Sequence, residues 1–474
     1  MRLRVAMLMV AVVGTAAAAA GINVRASYGA QVTGDEPQYL LTAMSLGEDL
    51  SLDVSDEIRN RRYLPFHEIP IDPQSRPLDA RGKLISPHDP LLPALLALPM
   101  RAGGWTAAKW ALALTAGALA AAILWVAVRR FGVGLATATT TAAVFAASSP
   151  FAVYGNQVYP EIPAALFTTI GIAALTGRLR RAGAVVLWAS VVALPNLSVK
   201  YVPVAAALAA IGLLRLWRAD RRIHALILAA AFAVAGGLFA AAHLAWYGGL
   251  TPYAVGDHFT AGEFTVVGAA PNFPGRSVRL VGLLLDREFG IAAWQPAWLL
   301  AVPAVAALAH ARPPRWETLV VPLAVGWLTA TFVALTMHGW WWPGRQTVVV
   351  LPAATLAISW WADGSRARRV SVALTGLVGI VTLGWFVADG LARRVTTVVD
   401  FFKTTAPTYE IWSRALPAYR AGGTATWILH AAWLAVVGAL AWWGWKRSAA
   451  RRPAGASSLR DGGARDAFGR AISP

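Results

Sequence analysis

Apolar runs of roughly 17–25 residues, each long enough to cross a bilayer, recur along the whole chain. They fall at about 5–22, 106–128, 134–150, 159–177, 182–196, 201–217, 224–246, 291–310, 317–337, 346–361, 371–391 and 425–445. This pattern predicts an all-α polytopic membrane protein of about twelve transmembrane helices. The ten-residue alternation of a membrane β-barrel is not what these runs show. Between the runs, basic residues cluster in every second connection: Arg2/Arg4, Arg129/Arg130, Arg178/Arg180/Arg181, Arg215/Arg218/Arg221/Arg222, Arg312/Arg315, Arg366/Arg368/Arg369 and Lys446/Arg447. The positive-inside rule puts that face, and both termini, in the cytoplasm. The other face receives connections 23–105, 151–158, 197–200, 247–290, 338–345 and 392–424, with most of the non-basic polar residues. The chain's chemistry is expected there, outside the cytoplasm.

The first extracytoplasmic loop, 23–105, is the longest and has internal order. From Pro37 to Leu50 the apolar residues Tyr39, Leu40, Ala43, Met44 and Leu46 have helical spacing, which predicts a helix on the membrane surface. Pro90 to Met100 is apolar but too short to span, and predicts a second interfacial or re-entrant helix. Residues 1–447 read as one transmembrane domain. The segment 448–474, rich in Arg, Pro, Gly and Ser, reads as a disordered cytoplasmic tail. At the other end, the length of Val5–Ile22 favours an uncleaved first helix over a cleavable signal peptide.

Composition sharpens this picture. Of 474 residues, 57% are hydrophobic and 14% charged, with mean hydropathy +0.53, far from a soluble domain's balance. The net charge of +18 sits in short clusters at span ends, so it reads as orientation and not as a nucleic-acid surface. With no cysteine, the chain has no disulfide, no thiol nucleophile and no Cys-ligated metal.

Four motifs arrive on the non-basic face: Gly34-Asp35-Glu36-Pro37 after the first span, Ser86-Pro87-His88-Asp89-Pro90, Tyr159-Pro160-Glu161-Ile162-Pro163, and Trp340-Trp341-Trp342-Pro343-Gly344-Arg345. In order and placement they resemble the GT-C fold glycosyltransferases, membrane enzymes that take a sugar from a polyprenyl-phosphate carrier. The branch they are most similar to contains the protein mannosyltransferases and the lipid A aminoarabinose transferases. Asp89 departs from that pattern, standing where a second proline is common. The resemblance implies a polyprenyl-phosphate sugar donor, a lipid, glycan or protein acceptor, and the lipid bilayer as partners.

The resemblance and the residue chemistry together nominate site residues. Asp35 is the candidate base for the acceptor hydroxyl, and Glu36 either orients the acceptor or helps Asp35 hold a divalent ion such as Mg or Mn. One base and direct displacement imply inversion at the sugar. Arg345 matches phosphate oxygens with paired donors, and its alternative is an interfacial anchor. Lys200 is a second phosphate candidate or a snorkelling lysine. Asp35 and Glu161 each sit where a helix cap is the plain alternative. Tyr159, His88, Asp89 and His338 complete the substrate-contact candidates. His258 reads as a solvated loop residue, and His243 and His430 as packed neutral histidines. Rival readings are a twelve-helix secondary transporter and a non-catalytic envelope-assembly relative. The eighty-residue first loop and the short central cytoplasmic loop argue against transport.

Overall fold

A computed structural model describes residues 2–257 and 271–448, so His258 and the tail beyond Ser448 lie outside the described residues. About 70% of the described residues are helical. Among the described residues the only β-type pairing is four isolated bridges. In chain order the helices are α1 (Arg2–Ala20), α2 (Glu36–Asp49), α3 (Ser55–Arg59), α4 (Leu91–Phe131), α5 (Leu135–Ala146), α6 (Phe151–Tyr154), α7 (Glu161–Thr176), α8 (Arg181–Leu197), α9 (Val202–Arg218) and α10 (Arg222–Tyr247). The second half contributes α11 (Phe273–Ser277), α12 (Arg279–Leu285), α13 (Ile291–Trp294), α14 (Ala301–Ala311), α15 (Glu317–Phe332), α16 (Leu351–Ala362), α17 (Arg366–Leu391), α18 (Pro407–Ser413) and α19 (Thr424–Ser448).

Eleven of the predicted runs each fall on one of these helices, and the run 291–310 is divided among α13, a tight turn at Pro296–Leu300 and α14. Among the described residues, six segments are long and apolar enough to cross a membrane: Arg2–Ala20, Leu91–Phe131, Val199–Arg218, Arg222–Val255, Arg366–Leu391 and Thr424–Lys446. The other six runs form apolar helices of 10–17 residues, and most of their side chains are buried among their neighbours.

Small residues let the first two long helices meet closely. A Cβ on Gly117 of α4 would come within 2.6 Å of the Ala11 carbonyl of α1, so the backbones touch where lipid-embedded helices need close van der Waals contact. By contrast, α10 and α19 leave long apolar faces exposed, with Leu226, Val234 and Leu238 on one and Ile428, Leu434 and Trp442 on the other.

The basic turns share one end of the bundle. Arg215 donates to the Gly177 carbonyl at 3.1 Å and Arg221 to the Leu179 carbonyl at 2.7 Å. At the other end lie the long loops. There α2 packs along the first part of α4, and Pro37 to Ala43 are buried in succession. The predicted surface helix is therefore real but enclosed, lying between the loop that follows it and its neighbour helix. The predicted short helix after Pro90 is also present. It runs directly into the next span through a break at Gly103 and Gly104, where φ/ψ are −157°/24° and 64°/−160°.

Candidate active site

Four charged side chains from four separate stretches meet at the loop-bearing end. Arg345 Nη2 donates to Asp35 Oδ2 at 2.5 Å and its Nε to Glu161 Oε1 at 3.2 Å. Lys200 Nζ donates to the same Glu161 oxygen at 2.7 Å. The result is a chain of alternating sign, Asp35–Arg345–Glu161–Lys200. Its inner members are closed off, with Glu161 at 0% and Arg345 at 9% exposure, while the side chains of Asp35 and Lys200 are open to 25% and 23%.

Local sequence explains why these groups converge. Asp35 precedes α2, and Pro37 favours the helix start without needing a donor N–H. Neither Asp35 nor Pro160 before α7 supplies a side-chain cap, and the Asp35 and Glu161 carboxylates turn into the ion chain instead. Asp35 makes no cap hydrogen bond, whereas Glu161 also stands in the first turn of α7, where the helix dipole favours its charge. Gly34 sits at φ 62°, and a Cβ there would meet the Tyr159 hydroxyl at 3.0 Å and the Trp340 carbonyl at 3.2 Å. Gly344 sits at φ 88°, with Ile291 2.7 Å from where its Cβ would be. A side chain at either position would push apart loops that carry Asp35 and Arg345.

Aromatic packing fixes Arg345. Its guanidinium carbon lies 4.1 Å from the Tyr159 ring centroid and 5.2 Å from that of Trp341, in cation–π range. Beneath it, Trp342 is fully buried against Phe386 and Trp294, at 4.6 Å each, and donates its indole N–H to Ser149 Oγ at 2.7 Å. Trp340, in contrast, is 62% exposed.

Glu36 does not join this chain. Its two carboxylate oxygens accept from the backbone N–H groups of Val158 at 2.7 Å and Thr33 at 3.2 Å. Burial pushes its carboxyl up from the usual range. Glu36 thus staples the Val158–Tyr159 turn to the start of α2. Glu36 is bonded to backbone N–H groups and Asp35 to Arg345.

Asp89 is also committed to the protein. One oxygen accepts from the Val199 N–H at 2.8 Å and the other lies 3.1 Å from His243 Nε2, with both side chains buried. It anchors the turn that presents Lys200. His88, beside it, stacks on Tyr39 with centroids 4.6 Å apart and lies 3.3 Å from Gln74 Oε1. Burial pulls its imidazole down to about 4, so it is neutral near pH 7. His338 lies elsewhere, 3.8 Å from Asp286 and edge-on to Phe289.

Burial alone would raise the Asp35 carboxyl, but the charges of Arg345 and Lys200 outweigh it and hold the group well below the usual carboxylate range. The stability that this pairing contributes is therefore present above the ordinary carboxylate pKa and lost only as pH falls below it.

Several participants escaped sequence reading. Tyr39 follows Asp35 by one helical turn, a spacing that places both on one face. Tyr201 neighbours Lys200, and its hydroxyl is buried without a hydrogen-bond partner, as is Glu161 Oε2. Gln74 bridges His88 and the Gly34 carbonyl, the latter at 3.3 Å. Lys109, inside α4, donates to the Ile22 and Gln31 carbonyls at 3.4 and 3.3 Å. Only His243 carried a visible hint, as an imidazole in an apolar run.

No known family profile matches the chain, and no curated protein does. Among solved structures it is similar to the crystal structure of ArnT from Cupriavidus metallidurans bound to undecaprenyl phosphate. The match has a TM-score of 0.50 at 14% identity and covers 93% of this chain and 74% of that one. The fold is the polytopic GT-C fold.

Proposed function

We propose that this protein is a membrane glycosyltransferase that moves a sugar from a polyprenyl-phosphate carrier to an extracytoplasmic acceptor. The GT-C fold, shared with a protein whose structure holds undecaprenyl phosphate, supports the reaction class. The observation that carries the reading is the Asp35–Arg345–Glu161–Lys200 chain, which sets a partly accessible carboxylate beside two cations, with the Tyr159 and Trp341 rings against Arg345. The positive-inside rule assigns the opposite, basic end to the cytoplasm.

In this reading the donor's phosphate takes the Arg345 and Lys200 N–H groups. Asp35 then accepts the proton of the acceptor hydroxyl as that oxygen attacks the anomeric carbon. The carbon–oxygen bond to phosphate breaks, its electron pair leaves on the carrier phosphate, and the sugar is inverted. Two cations on the leaving oxygens supply the charge stabilisation that such a departure requires. Glu36 and Asp89 act as positioning residues, one holding the Tyr159 turn and the other the Lys200 turn. The resting grip of Arg345 on Asp35 gives the donor a second role. Phosphate competes for the guanidinium, and its arrival returns basicity to the carboxylate.

The decisive assay incubates purified protein with a panel of undecaprenyl-phosphate hexoses and pentoses plus lipid, glycan and peptide acceptors. Release of undecaprenyl phosphate with one sugar is expected. The absence of both release and undecaprenyl-phosphate binding across the panel would refute the proposal.

Lys200 adds a pH signature. Its ammonium is needed for phosphate, so donor KM should rise on the alkaline side as that charge is lost. Lys200→Arg keeps its charge there and is expected to flatten this limb. An unchanged alkaline limb in that variant would remove Lys200 from donor binding.

A further inference from the structure

A second acidic group lies away from the ion chain, at the far end of α2. Carboxylate oxygens of Asp49, Asp56 and Glu57 lie within 4.8 Å of one another. Asp49 and Asp56 are exposed, whereas Glu57 is fully buried and neither of its oxygens has a hydrogen-bond partner. A bare charge buried there is too costly to stand alone, so the group is either protonated against its neighbour Asp56 or coordinated by a cation. The chain holds 42 basic against 24 acidic residues, yet among the described residues none forms an ion pair with these three acids. Arg62 is adjacent, its backbone N–H bonding the Glu57 carbonyl at 2.9 Å. Its guanidinium is spent on Glu48, at 2.6 and 2.7 Å.

We propose that Asp49, Asp56 and Glu57 bind a hard divalent cation, calcium in preference to magnesium. Calcium takes roughly 6–8 oxygens at about 2.3–2.6 Å in flexible geometry, so an ion among three carboxylates is completed by water on the two exposed acids. Magnesium demands a near-regular octahedron at about 2.0–2.1 Å. Acids fixed at the end of one helix and the start of another meet that demand poorly. The competing arrangement is a proton shared by Asp56 and Glu57. It accounts for their contact but not for Asp49 being drawn to the same point. The bound ion ties the last turn of α2 to α3, and so braces the helix whose first turn follows Asp35.

The test uses the full-length protein in detergent, stripped with chelator, and does not depend on sugar transfer. Calcium chloride is titrated by calorimetry and by the thermal unfolding midpoint, with magnesium chloride and potassium chloride at matched ionic strength as comparators. Saturable calcium binding with Kd of roughly 10⁻⁴–10⁻³ M, as in extracellular modules, is expected, with a rising midpoint. Glu57→Gln and Asp49→Asn should each weaken it at least tenfold. Asp49 is exposed, so its variant is not expected to compromise folding. The proposal falls if the stripped protein shows no saturable calcium binding, if potassium gives the same midpoint shift, or if both variants bind as the parent does.

Discussion

Asp35→Asn is expected to lower kcat for sugar transfer by about 10²–10⁴-fold, the usual contribution of a positioned general base. The amide is close in size to the carboxylate but cannot take the acceptor's proton. Helix formation at Glu36 does not depend on Asp35, which makes no cap bond. The loss of one partner from Arg345 should cost roughly 1–3 kcal/mol of stability, since Glu161 remains to hold the guanidinium. Carrier-phosphate affinity should hold or improve, because the variant removes the carboxylate that competes for Arg345. This separation of turnover from binding is the diagnostic. Normal turnover by well-folded Asp35→Asn protein would remove Asp35 as the base, and parallel loss of turnover and carrier affinity would make it a binding residue instead.

Arg345 should respond in the opposite way, and two substitutions separate its roles. Arg345→Ala leaves the fully buried Glu161 with Lys200 alone and Asp35 with no direct ion pair. Breaking a buried pair from one side typically costs about 3–5 kcal/mol, so this variant is expected to express poorly or unfold early. Arg345→Lys keeps a charge but lacks the planar fork that reaches Asp35 and Glu161 at once. It should fold, with carrier-phosphate affinity down at least tenfold by calorimetry and kcat/KM reduced by more than Lys200→Arg achieves. Unchanged affinity in a folded Arg345→Lys protein would leave Arg345 as the interfacial anchor that its tryptophan neighbours also suggest.

Much of this architecture was legible because membrane helices write themselves as long local signals. The run at 5–22 appears as Arg2–Ala20, and the surface helix expected from Pro37 begins at Glu36, though it is enclosed. Side-chain partnerships were less legible for a physical reason. Arg345 meets Asp35 across 310 residues and Glu161 across 184, and nothing in a local window encodes that approach. Asp35 and Glu36 look equivalent as neighbours in sequence. At the head of a helix, however, adjacent side chains diverge by about 100°, and here one faces the ion chain while the other faces the Val158 turn. His338 shows the converse. Its place beside three tryptophans made it look central, yet the backbone turns before Gly344, and it rests against Asp286. The short helix after Pro90 was visible, but its continuity with α4 was hidden in two glycines.

Under the proposed sugar transfer, the neutral sum of the resting ion chain, two acids against two cations, has a consequence for the order of departure. A sugar-bearing carrier presents a phosphodiester with one negative charge, whereas the spent carrier is a monoester whose charge near pH 7 approaches about −1.5 to −2. The cations that welcome the donor therefore hold the spent carrier more strongly. Asp35, protonated by the acceptor, no longer competes for Arg345 until it loses that proton. Release of the spent lipid is then tied to deprotonation of the base, so each turnover ends only when the carboxylate reclaims its guanidinium.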